Sequence, residues 1–161
     1  MVNIKMQNRS LMTTEPEPFW KTKTLQEMTR FEWESLCDRC GVCCLHRLKN
    51  GNTGKVYYTS VACRFLDIDQ SICTIYDDPL RNCLKIKPQN IRRFRWLPKS
   101  CAYRLMAENR QLEWWHPLIS GNFNTIHEAN ISVRQKVISE INIQLDDLEE
   151  YMVKKPFTVP F

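Results

Sequence analysis

Eight cysteines carry the chemistry of this 161-residue chain, and four of them fall within eight residues as Cys37-x-x-Cys40-x-x-Cys43-Cys44. The others follow singly at Cys63, Cys73, Cys83 and Cys101. Two-residue gaps let a turning backbone aim successive sulfurs at one point, as zinc knuckles and ferredoxin runs do. Gly41 inside the run favours a tight loop, because it tolerates backbone angles closed to other residues. Thiolates are soft ligands, so the pattern selects zinc, copper(I) or iron–sulfur over magnesium or calcium. All eight cysteines are candidate ligands of zinc or an iron–sulfur cluster.

Cys43 and Cys44 are adjacent, so their side chains point about 100° apart on a helix and to opposite faces of a strand. They are therefore poor partners on one mononuclear ion. Two interleaved four-thiolate sites satisfy the arithmetic; a single centre with four further thiols is the alternative. Cys101, far from the run, could also serve as a small buried hydrophobe.

Disulfides are the competing use of eight cysteines, with 105 possible connectivities. The opening residues MVNIKMQNRSLMTTEPEP lack the apolar core of a secretory signal. No stretch approaches the roughly 18–20 apolar residues of a membrane span. The expectation is a cytoplasmic chain without a membrane partner, its thiols kept reduced and free to bind metal. The formal charge of +5 counts every cysteine as neutral. Two zinc sites of four thiolates each would bring it to about +1, so the basic excess is weak evidence for a polyanion partner.

The elements that must position the cysteines are short. Residues 1–17 read as a polar tail, 18–155 as one metal-binding domain and 156–161 as a terminal segment. Thr24 to Glu27 and Thr29 to Glu32 both fit a capping box, and the second predicts a helix over about 30–38 that delivers the chain to Cys37. Gly51 to Gly54 reads as a turn, followed by the strand-like Val56 to Val61. Asp67 to Ser71 reads as another turn, so a hairpin is expected over about 55–76. Pro88 suits the first position of a helix running to Phe94. A further helix should run from Lys99 or Ser100 to Asn109. Strand-like structure is expected to about Ile143, then a short helix over Leu145–Val153. The predicted fold is α+β: a small, irregular single domain of short helices and a few short strands around the cysteines.

The run Cys37–Cys44 resembles the signature of the CxxCxxCC family of zinc- or iron-chelating proteins, and the chain resembles its bacterial YcgN-like branch. The resemblance rests on Pro18-Phe19-Trp20-Lys21-Thr22-Lys23-Thr24-Leu25, Trp33-Glu34-Ser35-Leu36-Cys37, Tyr57-Tyr58-Thr59 and Val61-Ala62-Cys63-Arg64. It continues through Trp96-Leu97-Pro98, Cys101-Ala102-Tyr103-Arg104-Leu105, Trp114-Trp115-His116-Pro117-Leu118 and His127-Glu128-Ala129. It spans about residues 18–153. The chain departs from the branch in a shorter segment, Asp77 to Asn82, before Cys83 and in Lys154-Lys155-Pro156 near the end. The resemblance implies metal chelation without naming a reaction. The wider domain also occurs in flagellin lysine N-methylases, linked there to an iron–sulfur cluster.

His46, His116 and His127 could ligate zinc or move protons, although hydrogen-bonded structural roles are the simpler reading of each. Arg92-Arg93-Phe94-Arg95-Trp96, with Lys85, Lys87 and Lys99, mixes cations and aromatics as nucleic-acid-binding segments do. A solvated helix face is the simpler reading there too. The sequence has no phosphate-binding glycine loop, dinucleotide fingerprint or hydrolytic metal motif. It therefore reads as a metal-binding cysteine-cluster protein. A redox or modification enzyme using an iron–sulfur cluster, or a small nucleic-acid-binding metalloprotein, are the alternatives.

Overall fold

The computed structural model describes residues 16–75 and 84–153. The expected N-terminal tail up to residue 15, Tyr76, the segment from Asp77 through Cys83 and the terminal segment from Lys154 lie outside the described residues. The architecture is α+β, with short elements throughout.

The chain enters through α1 (Phe19–Thr22) and α2 (Arg30–Ser35). At α2 the Thr29 side chain accepts from the Glu32 backbone N–H, while the Glu32 carboxylate accepts from that of Thr29. This reciprocal cap satisfies donors the first helical turn would otherwise leave open. Thr24 and Glu27 make similar bonds, of 2.7 and 2.8 Å, around a turn without starting a helix. A 3-10 turn at Val42–Cys44 then leads straight into β1 (Leu45–Lys49).

Asn50 folds the chain back. Its side-chain oxygen accepts from the Asn52 and Thr53 backbone N–H groups, and Gly54 takes a left-handed φ of +68°. The turn joins β1 to β2 (Val56–Ala62) in an antiparallel hairpin, with a register irregularity between Leu45 and Arg47. β5 (Ile138–Ser139) adds in parallel to the other edge of β2. β3 (Leu66–Asp67) and β4 (Ile72–Cys73) form a separate two-stranded hairpin. Its turn is held by the Asp67 carboxylate, which accepts from the Asp69 and Gln70 N–H groups. The hairpin expected over 55–76 is thus corrected. Val56–Ala62 pairs backward with the charged segment Leu45–Lys49, and among the described residues β3 and β4 pair with each other rather than with β2.

The helix expected from Pro88 is a turn followed by a 3-10 segment at Ile91–Arg93. α3 (Ala102–Ala107) begins directly after Cys101, followed by α4 (Pro117–Ser120) and α5 (Thr125–Glu128). The helix expected at the end is a 3-10 segment, Leu145–Tyr151, followed by a bridge from Met152 to Thr59.

Three apolar clusters surround the cysteine loop. The largest packs Trp33 and Leu36 of the α2 region against Leu97, Leu105 and Met106, and takes in Cys37, Cys43 and Cys101. A second joins Val42, Leu45, Tyr58, Leu66 and Val133, with Cys40 and Cys44 against it. The third contains Trp115, Ile126 and Ile131, again with Cys40 packed against it. Among the described residues no helix is long and apolar enough to cross a membrane.

Glu140 pins the C-terminal segment to the sheet. Its carboxylate accepts from the Arg64 backbone N–H at 3.0 Å, from Arg64 Nε at 2.8 Å and lies 2.6 Å from His46 Nε2. Burial pushes its pKa up, but the Arg64 and His46 bonds outweigh burial and hold the carboxyl below its ordinary value. Its stabilising effect is then complete above the unfolded-state pKa of about 4.3 and disappears as pH falls through the lower folded value. Glu140→Gln should lower Tm at neutral pH, and the gap to the parent should close as the medium is taken below about pH 4. A gap of unchanged size across thermal melts at neutral and acid pH would contradict this role.

Candidate metal centre

The cysteine run is delivered by α2 and turned by its own backbone. Arg39 and Gly41 both take left-handed angles, φ 59° and 76°. Asp38 braces the turn: its buried carboxylate accepts from the Cys40 N–H at 3.1 Å. The Cys40 carbonyl accepts from the Val133 N–H at 2.9 Å, which fastens the loop to the second cluster. A Cβ added at Gly41 would stand 2.6 Å from Val133 Cγ2 and 2.8 Å from Ser71 Oγ. Glycine is required here by both angle and space.

Cys37, Cys40, Cys43 and Cys101 line one cavity of about 30 Å³, closed by Leu36, Leu97, Pro98 and Tyr103. Cys101 reaches it from the start of α3. Arg104 anchors that helix by donating to the Arg95 and Leu97 carbonyls at 3.0 and 2.7 Å. Cys44 faces other partners. Its carbonyl accepts from the Cys63 N–H at 2.9 Å, and Cys73 enters through its pairing with Leu66. Negative charge on Cys43, Cys73 or Cys63 pushes the Cys44 thiol up. Cys43 and Cys44 are nevertheless coupled: interaction with the Cys44 thiol is the main reason Cys43 is shifted down, and the reciprocal interaction the main reason Cys44 is shifted up. Cys83 lies outside the described residues.

The electrostatics of the first group are those of thiols prepared for a cation. Burial pushes Cys37 and Cys40 upward and Cys101 to about 12, with the buried Asp38 carboxylate adding to each shift. Against this, the backbone N–H of Arg39 donates to the Cys37 sulfur, that of Val42 to Cys40, and those of Tyr103 and Arg104 to Cys101. Such donors favour the thiolate, but burial keeps it from forming alone. A bound cation would supply the missing charge, since a coordinating thiol is deprotonated outright. Further donors lie nearby. The Arg47 guanidinium stacks 3.4 Å from the Trp96 ring centroid and helps to lower Cys43, while its Nη1 is buried with no hydrogen-bond partner among the described residues. The Trp115 indole N–H, in the cluster that packs on Cys40, is likewise buried without a partner among the described residues. The donor set fits a thiolate centre. As they stand, however, no three His, Cys, Asp or Glu side chains among the described residues close tightly enough to hold a single metal ion.

The histidines are engaged elsewhere. His46 meets Glu140, and His127 Nδ1 lies 2.6 Å from Ser132 Oγ. His116 is buried; its Nε2–H donates to the Leu36 carbonyl at 3.0 Å and its Nδ1 accepts from the Leu118 N–H at 3.1 Å. It locks the loop entry and α4 together as a neutral ring, and burial holds its pKa below the ordinary value. Phe94 and Trp96 of the basic segment pack against the apolar clusters, which takes them from a base-stacking surface. Asp38 is the residue sequence reasoning missed at the site, whereas Arg47 stands out in the sequence, with Arg39 and Lys49, as a basic neighbour of the run able to lower a thiol pKa. The positions of Asp38 and Arg47 beside the run were visible, but their burial was not.

The family model CxxCxxCC, described as a "putative zinc- or iron-chelating domain", matches residues 36–102, which contain all eight cysteines. A UPF0260 protein of Rhizobium etli (strain CIAT 652) is 49% identical over 145 residues, covering 88% of this chain and 92% of the relative. One from Rhodopseudomonas palustris (strain HaA2) is 49% identical over 146 residues, covering 88% and 86%. The chain belongs to the UPF0260 family. A third relative, from Sinorhizobium fredii (strain NBRC 101917 / NGR234), is 48% identical over 145 residues, covering 88% of this chain and 94% of its own. No solved structure matches the chain. The description of the matching domain supports metal binding by this cysteine cluster.

Gly41→Ala should disrupt the loop and cost about 2–4 kcal/mol, from the left-handed backbone and the two collisions together. Urea unfolding of the metal-loaded protein measures this. An unchanged midpoint would show that the reversal at Gly41 is not required.

Proposed function

We propose that the protein holds two adjacent sulfur-ligated metal centres. The first uses Cys37, Cys40, Cys43 and Cys101; the second uses Cys44, Cys63 and Cys73, with Cys83 as the remaining thiol. The observation that carries this reading is the shared cavity of the first four thiols, with backbone N–H groups donating to three of their sulfurs.

The spacing at the first centre supports an iron–sulfur cluster over a single zinc. Three cysteines at two-residue gaps plus one distant cysteine follow the ferredoxin pattern. When bound, a cluster would supply one-electron redox chemistry, whereas a four-thiolate zinc would supply a closed anchor. The chain's own residues fix the thiols through Gly41 and the Arg104 anchor, exclude water with Leu36 and Leu97, and direct N–H groups at sulfur.

Four single variants, Cys43→Ser, Cys101→Ser, Cys44→Ser and Cys63→Ser, test the division. Metal analysis and visible absorption after anaerobic purification should pair Cys43→Ser with Cys101→Ser and Cys44→Ser with Cys63→Ser, each pair losing one centre and keeping the other. Pairing of Cys43→Ser with Cys63→Ser, or full metal in all four, would overturn it. A colourless protein with stoichiometric zinc at the first centre would retain the ligands and reject the cluster.

A further inference from the structure

A second cavity, of about 330 Å³, shares no lining residue with the thiol cavity. It lies between the Trp20–Met28 segment, the turn beside the Ile91–Arg93 segment and the C-terminal end of α3. Four cations line it, Lys21, Lys23, Arg92 and Arg110, and no aspartate or glutamate does. Lys23 is occupied by Glu32 at 2.6 Å, and Arg110 has a weaker contact with Glu108 at 3.5 Å. Lys21 and Arg92 are exposed and have no ion pair among the described residues. Trp20 and Met106 give the cleft an apolar wall, and the Trp20 indole N–H is buried with no acceptor among the described residues.

Lys21 and Arg92, uncompensated beside the partly neutralised Lys23 and Arg110, give the concavity a positive potential, which an anion relieves. Guanidinium and ammonium groups match phosphate oxygens through charge-assisted hydrogen bonds. The volume lies at the lower end of the roughly 300–1,000 Å³ typical of small-molecule sites. It suits a sugar or nucleoside phosphate and is too small to enclose a polymer. We propose that this cleft binds a small phosphorylated metabolite, with Lys21 and Arg92 holding the phosphate and the Trp20 side carrying the rest of the molecule. Two stretches the metal centres leave unexplained, Pro18 to Leu25 and the basic segment at Arg92, thereby meet in one site.

Calorimetry on the full, metal-loaded protein tests this with AMP, ribose 5-phosphate and inorganic phosphate, using adenosine and ribose as uncharged controls and single-stranded RNA as a polymer control. Saturable binding of AMP or ribose 5-phosphate is expected, without binding of the uncharged controls. Lys21→Gln combined with Arg92→Gln should weaken it by roughly tenfold or more. Arg95→Gln, an exposed cation outside the cleft lining, should leave it unchanged. Absence of binding by every phosphate, affinity undiminished in the double variant, equal loss in Arg95→Gln, or binding of RNA alone would each overturn the proposal. Both changed side chains are exposed, and an unaltered Tm confirms that the variant is folded.

Discussion

The reversal of the chain at Arg39–Gly41 is the constraint on which the rest depends. Two left-handed residues within three positions turn the backbone sharply enough for Cys37, Cys40 and Cys43 to face one cavity. The same turn leaves the chain heading into β1, so the metal loop and the sheet share a single origin. Val133 and Ser71 stand so close to Gly41 that the loop is wedged as well as turned. All three apolar clusters contact the run, and none of its four cysteines is without such a contact. A protein with elements this short has little regular structure to hold it together. The cysteine loop is where its separate clusters meet.

That position sets an electrostatic demand. A buried thiol resists ionisation, and Asp38 raises the resistance at Cys37, Cys40 and Cys101. Backbone donors and Arg47 act in the opposite direction, but neutral dipoles and one guanidinium do not replace the charge of a metal. With the proposed ligand set, metal binding would be coupled to folding: the thiols span the chain from Cys37 to Cys101, and a bound metal would stabilise everything between them. Cys43 and Cys44 are sequence neighbours whose thiols shift each other's pKa, so a change at one is felt electrostatically at the other.

What the sequence made legible was local. The Thr29–Glu32 cap and the Gly51–Gly54 turn are decided by residues three or four apart, and both stand where their patterns put them. The pairing of β2 was not legible, because Leu45–Lys49 carries His46, Arg47 and Lys49 and reads as a solvated stretch. Glu140, almost a hundred residues on, and the Trp96 ring are what make room for those side chains. At the site, the run itself announced soft-metal chemistry, and adjacency alone argued that Cys43 and Cys44 need different surroundings. That Cys101 lies with Cys43, and Cys63 and Cys73 with Cys44, depends on α3 and the β3–β4 hairpin folding back onto the loop. No local pattern encodes that.

The account stands or falls on sulfur as the ligand. X-ray absorption at the metal edge of anaerobically purified protein measures the first coordination shell directly. The predicted result is an all-sulfur shell at about 2.3 Å from the metal, with iron neighbours beyond it at the first centre. A shell of nitrogen and oxygen, or protein that carries no stoichiometric metal while all its thiols remain free, would contradict it.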